Sequence, residues 1–265
     1  MAEPQQSSLL ALPRELRNHV LDYLLLDHHN APISPLFPGK RTKGLKDIMF
    51  PSKTPNPASR RLAPLLVNKQ LHIEFLEHAH LLYTSGHATA ELDIMAKGYS
   101  LWPTWTRLPT LPLRNKPADL TIHLRVFSTE AFRPLGGGGS RAQGAGLRGL
   151  YALINNFIRM GRSLEFYLVN GDQGVPGQGL YVVDRLTVEV EFCDLYTPDT
   201  WAGTVREIVE GFGMLAGCGG FGESVGRVRV VSRFTVAGRV NWVEKEWVVR
   251  ERGGALPWEK GGNAA

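Results

Sequence analysis

The chain is poor in cysteine: Cys193 and Cys218 are the two in 265 residues. That excludes a disulfide framework and a cysteine zinc site, and makes a reducing compartment, cytoplasm or nucleus, the expected setting. Long apolar runs are missing as well, so no segment reaches the roughly 18–20 residues that span a bilayer, and no membrane association is expected. The polar first residues, with Glu3 and Pro4, do not read as a secretory signal. Charge of one sign is scarce: 30 basic against 25 acidic residues leave a net +5. Residues 40–61 hold seven basic side chains and one acid, more than the whole excess. The remainder is close to neutral, so the basic balance belongs to one segment.

Several catalytic signatures are absent too. No P-loop, Gly-x-Ser-x-Gly elbow or His-Glu-x-x-His pattern occurs. Gly144, Gly146 and Gly149 match a dinucleotide fingerprint by letter, but the strand that must precede it ends some seventeen residues earlier. A second match, Gly217, Gly219 and Gly222, follows a helix instead of opening one. With 29 glycines, such matches arise by chance. His72, His78, His80 and His87 form the one histidine cluster, without ligand spacing. No catalytic residue, cofactor or metal is therefore expected, and an enzyme is not.

What is present is periodicity. Over 12–26, Leu16, Val20, Tyr23 and Leu24 recur at helical spacing, with Arg14, Glu15, Arg17, Asn18 and Asp22 on the other side. Residues 31–64 hold seven prolines and the basic cluster, and read as an irregular, mobile insertion. Helix returns over 65–83, with Val67, Leu71, Phe75, His78 and Leu82 on one stripe and Lys69, Glu74 and Glu77 mostly off it. Ala90–Met95 reads as a short strand whose place is open, and 101–116 as a loop holding three prolines, Trp102 and Trp105.

From Asp119 the order is strand (119–127), glycine-rich connection (133–146), helix (147–160) and strand (164–169). A loop (171–179), a strand (181–192), a helix opened by Thr197-Pro198-Asp199 and a hairpin (226–236, 239–250) follow. The first six elements fit a ferredoxin-like β-α-β-β-α-β order. In that layout His123 and Arg125 oppose Glu189 and Glu191, giving cross-strand ion pairs. The expected class is α+β in three parts: a helical unit over 9–85 with the insertion 31–64, a mixed α/β unit over 86–252, and a tail over 253–265.

Single-stranded RNA readout on such a sheet needs open-face aromatics on the central strands. Here the third strand offers Thr187, Glu189 and Glu191, and carboxylates repel phosphate. Nucleic-acid binding through the basic segment, with Lys40, Arg41, Lys43 and Lys46, is retained as the alternative function.

Two blocks resemble a known family. Leu12-Pro13, Glu15-Leu16, Val20-Leu21 and Leu24-Leu25 resemble the opening of F-box and F-box-like domains. Pro64-Leu65-Leu66-Val67-Asn68-Lys69-Gln70-Leu71 with Tyr83 is similar to the second block of a group of fungal F-box-like proteins. The resemblance covers roughly residues 9–30, 62–95 and 118–128. It implies a non-enzymatic protein-interaction protein, in which the first helix docks on the adaptor subunit of a cullin–RING ubiquitin ligase and the C-terminal region recruits a substrate. The residues at the matching positions are Leu12, Pro13, Leu16, Val20 and Leu24. The competing expectation is that this apolar face packs against the 65–83 helix and the sheet.

Overall fold

A computed structural model describes residues 9–28, 30–43, 48–51, 68–85, 89–109, 118–132, 145–160, 182–193, 198–218, 220–221, 224–236 and 239–249. Its class is α+β. The helices are α1 (Arg14–Leu25), α2 (Lys69–Thr84), α3 (Ala145–Met160) and α4 (Pro198–Gly217). The strands are β1 (Leu26–His28), β2 (Arg41–Lys43), β3 (Met49–Pro51), β4 (Ala90–Lys97) and β5 (Ser100–Pro109), then β6 (Ala118–Val126), β7 (Val183–Phe192), β8 (Val225–Val236) and β9 (Arg239–Val248). Seven of them form one mixed sheet in the order β1-β5-β4-β6-β7-β8-β9, and β2 and β3 form a hairpin.

Strict alternation builds the centre of the sheet. Leu92, Ile122, Val188 and Val230 lie in register across β4, β6, β7 and β8, all parallel and all on one face. Their side chains are at most 1% exposed. Both crossover helices pack on that face: Leu150 and Ile154 of α3 and Ile208 and Phe212 of α4 belong to the same core. The helices approach so closely that a Cβ on Gly211 would lie 2.1 Å from Leu147. The glycine match at 144–149 has a similar structural use, because a Cβ on Gly149 would lie 2.9 Å from Leu101 of β5. Helices on one side leave the opposite face to the polar members of each alternation.

The adjacency and register of 119–127 and 181–192 are as the pattern predicted, with His123 opposite Glu189 and Arg125 opposite Glu191. The ferredoxin-like order does not extend further. That order places 226–236 beside 119–127, whereas β8 pairs with β7 in parallel, so successive crossovers step in one direction across the sheet. The expected strand over 164–169 lies outside the described residues.

Two segments read as loops are strands. Residues 101–116 begin as β5, turned back from β4 at Gly98 (φ +58) and paired with it from Ser100 to Arg107. Its prolines masked the signal. They are tolerated because β1 flanks β5 only at 107–109, leaving the rest of that side without a long ladder to interrupt. The insertion 31–64 also contains structure. Arg41–Lys43 pairs with Met49–Pro51, and Ile48, 2% exposed, enters the main core beside Leu101. Two arginines hold this strap to the sheet. Arg125 donates to the carbonyls of Pro32 (2.7 Å) and Ile33 (3.1 Å), and Arg41 donates to the Pro103 carbonyl (2.8 Å) and Thr104 Oγ1 (2.7 Å). Proline-rich backbone has few N–H donors of its own, so its carbonyls are satisfied by guanidinium groups.

Candidate functional site

The helix pair α1–α2 is built around a second, smaller cluster: Leu21, Leu25, Leu71, Phe75 and Ala79. Asn68 caps α2 by accepting from the backbone N–H groups of Gln70 (3.0 Å) and Leu71 (3.1 Å). Beside the cluster, Arg17 and Glu74 form a bidentate pair, with both nitrogen–oxygen distances 2.7 Å. Both residues are buried, at 8% and 7% exposure. Arg17 also donates to the Leu12 carbonyl, and Gln70 donates to Glu74 at 3.0 Å. The hydrogen bond from Arg17 outweighs burial and holds the Glu74 carboxyl below its usual range, while Glu74 pushes Arg17 up. His78 Nε2 lies 2.7 Å from Asp22 Oδ1, a further link between the helices.

This arrangement turns the inward side of α1 by about 100° from the stripe that the periodicity marks. The stripe Leu16, Val20 and Tyr23 is largely in solvent, at 49%, 36% and 75% exposure. The buried stripe is Arg17, Leu21 and Leu25, one position round the helix. The periodicity puts Arg17 with the solvent-facing polar residues, and Glu74 off the buried stripe of α2. Each is buried because the other neutralises it. Of the residues matched by resemblance, Pro13, Leu16 and Val20 are exposed, Leu12 is half-buried, and Leu24 packs at the margin of the small cluster. Pro13 stands just ahead of the helix, its carbonyl accepting from Arg17 N–H at 3.1 Å.

The basic segment is divided. Lys40 and Lys43 have exposed side chains, Arg41 is committed to four protein oxygens, and Lys46 lies outside the described residues. The arginine at its centre is thus a structural clamp, and the segment is not a free basic arm over its described length.

The face of the sheet opposite α3 and α4 carries an array of charges. His123 Nδ1 lies 3.0 Å from Glu189, as the register predicted. Arg125 does not pair with Glu191. It turns to the other neighbouring strand and binds Asp93 through two bonds, 2.6 and 2.7 Å. Asp93 is 5% exposed, and Arg125 is its compensating charge; the hydrogen bond raises the Arg125 pKa against the opposing effect of burial. Asp93 belongs to no motif or period in the sequence, although an acid inside the apolar run Leu92–Met95 is the kind of residue that needs a buried partner. Among the described residues no group of three His, Cys, Asp or Glu side chains could hold a metal ion, and no helix is long and apolar enough to cross a membrane.

No protein-family model, curated protein or solved structure matches the chain.

Proposed function

We propose that this chain is a non-enzymatic interaction protein that docks a protein partner on the exposed stripe of α1, and that the partner is the small adaptor subunit of a cullin–RING ubiquitin ligase. The observation that carries the reading is the exposure of Leu16, Val20 and Tyr23 on one stripe of a helix whose opposite side is fixed by Leu21, Leu25 and the Arg17–Glu74 pair. A helix anchored on one side and apolar on the other presents a preformed groove-filling face. Covering a large apolar side chain contributes roughly 1.5–3 kcal/mol when burial is complete. The F-box-like resemblance of residues 9–30 and 62–95 supplies the identity of the partner. Leu16 and Val20 are the centre of the contact, with Pro13 at its start and Tyr23 extending it. Leu24 serves the internal cluster. The sheet unit is the part left to recruit a substrate.

The test is affinity purification of the full chain from cells, with mass spectrometry of the bound proteins. The wild-type chain brings down the adaptor and cullin subunits. The double variant Leu16→Glu, Val20→Glu loses them while keeping its thermal transition. Recovery of no ligase subunit with a folded wild-type chain contradicts the proposal.

A further inference from the structure

At the last edge of the sheet, α4 and β9 leave a groove of 620 Å³ between them. The strand order ends at β9, and among the described residues no strand pairs with its outer side. The groove is floored by Val209 and Met214 of α4 and Trp247 of β9, all three only partly buried. Trp247 lies against the helix because Gly213 has no side chain: a Cβ there would lie 3.0–3.1 Å from three atoms of the indole. Glu210 on the helix and Lys245 on the strand are exposed at its rim, and neither has an ion-pair partner among the described residues.

The two walls run in one direction, since α4 crosses between the parallel strands β7 and β8, and β9 returns antiparallel to β8. Four residues back along α4, from Gly213 to Val209, and two back along β9, from Trp247 to Lys245, cover the same distance, about 6 Å. The groove thus has an apolar end at Met214 and Trp247 and a charged end at Glu210 and Lys245.

The chain that follows β9 carries side chains in the same order. Val249 donates its N–H to the Gly226 carbonyl at 3.0 Å, about 7 Å along the strand from Trp247. Arg250 to Gly254 span up to about 17 Å and include Gly253-Gly254, a pair suited to reversing the chain. Next come Ala255-Leu256-Pro257-Trp258-Glu259-Lys260, two large apolar side chains and then an acid and a base. Pro257 favours an extended Leu256, which sets Leu256 and Trp258 about 6 Å apart.

We propose that residues 255–260 fold back antiparallel to β9 and occupy this groove. Leu256 fills the Met214–Trp247 end, Trp258 covers Val209, and Glu259 and Lys260 meet Lys245 and Glu210. The segment thereby covers a ten-residue sheet edge that otherwise offers its backbone to other chains. The run Glu244-Lys245-Glu246 disfavours a second copy of β9 as the occupant. The proposal is independent of the docking role of α1.

The test is NMR of the full chain with labelled methionine methyls and protonated tryptophan in a deuterated background. A nuclear Overhauser contact between the Trp258 ring and the Met214 methyl is expected. The double variant Leu256→Asp, Trp258→Asp loses that contact and shifts the Met214 resonance, while the methyl of Met95, buried in the sheet, stays in place. Lys245→Glu moves the Met214 resonance towards the double-variant position, and adding Glu259→Lys reverses the move. Thermal melts verify that each variant is folded; the double variant leaves the described residues untouched. A folded wild-type chain without the contact overturns the proposal, as does a Met214 resonance that the double variant leaves unmoved. A contact formed between differently labelled copies in a mixed sample also overturns it, by assigning the groove to a second chain.

Discussion

The sheet with its two crossover helices and the α1–α2 pair handle apolar surface in opposite ways. In the sheet unit, the strand residues Leu92, Ile122, Val188 and Val230 meet Leu150, Ile154, Ile208 and Phe212, and nearly every large apolar side chain of the covered face is inside. The helix pair buries a cluster of five apolar residues and leaves Leu16, Val20, Tyr23, Ile73, Leu76 and Leu81 exposed. The first unit can satisfy its own core. The second is organised by a salt bridge as much as by packing, and its remaining apolar surface suits a partner better than water. The difference is the reason for assigning interaction to the helices and structural support to the sheet core.

Substitutions should separate the two units. Phe212→Ala, at a fully buried position of the sheet core, is expected to cost about 3–5 kcal/mol and to lower the main unfolding transition. Leu21→Ala, 1% exposed in the small cluster, is expected to cost about 2–5 kcal/mol. Its effect is local: hydrogen exchange rises in α1 and α2 while the β6 and β7 amides stay protected. Equal loss of protection in both units would erase the distinction.

A smaller, pH-dependent effect is expected at Glu74. Its folded pKa is depressed by Arg17, so the pair stabilises the fold at pH above the unfolded carboxylate value of about 4.3. That contribution is lost as pH falls from there through the depressed folded value. Denaturation of wild type and Glu74→Gln across this range should give a stability gap that is full at neutral pH and narrows in acid. A gap that widens in acid contradicts the sign. The smallest effect on stability belongs to Leu16→Glu, which should stay within about 0.5 kcal/mol because the side chain is already half in solvent.

The elements read correctly from sequence are those whose periodicity is clean. Leu120, Ile122, Leu124 and Val126 alternate without interruption, as do Leu186, Val188 and Val190, and the adjacency that the layout implies puts His123 opposite Glu189 and Arg125 opposite Glu191. Trp201, Val205, Ile208, Phe212 and Leu215 likewise mark one helix face, opened by a proline at its first position. The misreadings have physical causes. In β5, Pro103 sits opposite Ile94 where proline is not expected inside a ladder. In β2 and β3, three-residue strands are too short for a period to register, and Arg41 earns its place through tertiary hydrogen bonds to Pro103 and Thr104. In α1, the apolar residues from Leu16 and Val20 round to Leu21 and Leu25 span more than one stripe, so hydrophobicity alone does not select which of them is buried. The stripe through Arg17 is buried because Glu74, 57 residues away, neutralises it. A pair of that separation has no local signature.

The central claim, that the exposed stripe of α1 is a protein-docking face, is tested most directly by calorimetric titration of the purified full chain with the purified ligase adaptor subunit, alongside Leu16→Glu. Saturable binding by the wild-type chain, lost in a variant whose melting temperature is unchanged, is the predicted result. Binding that survives Leu16→Glu, or a wild-type chain that is folded and does not bind, would contradict it.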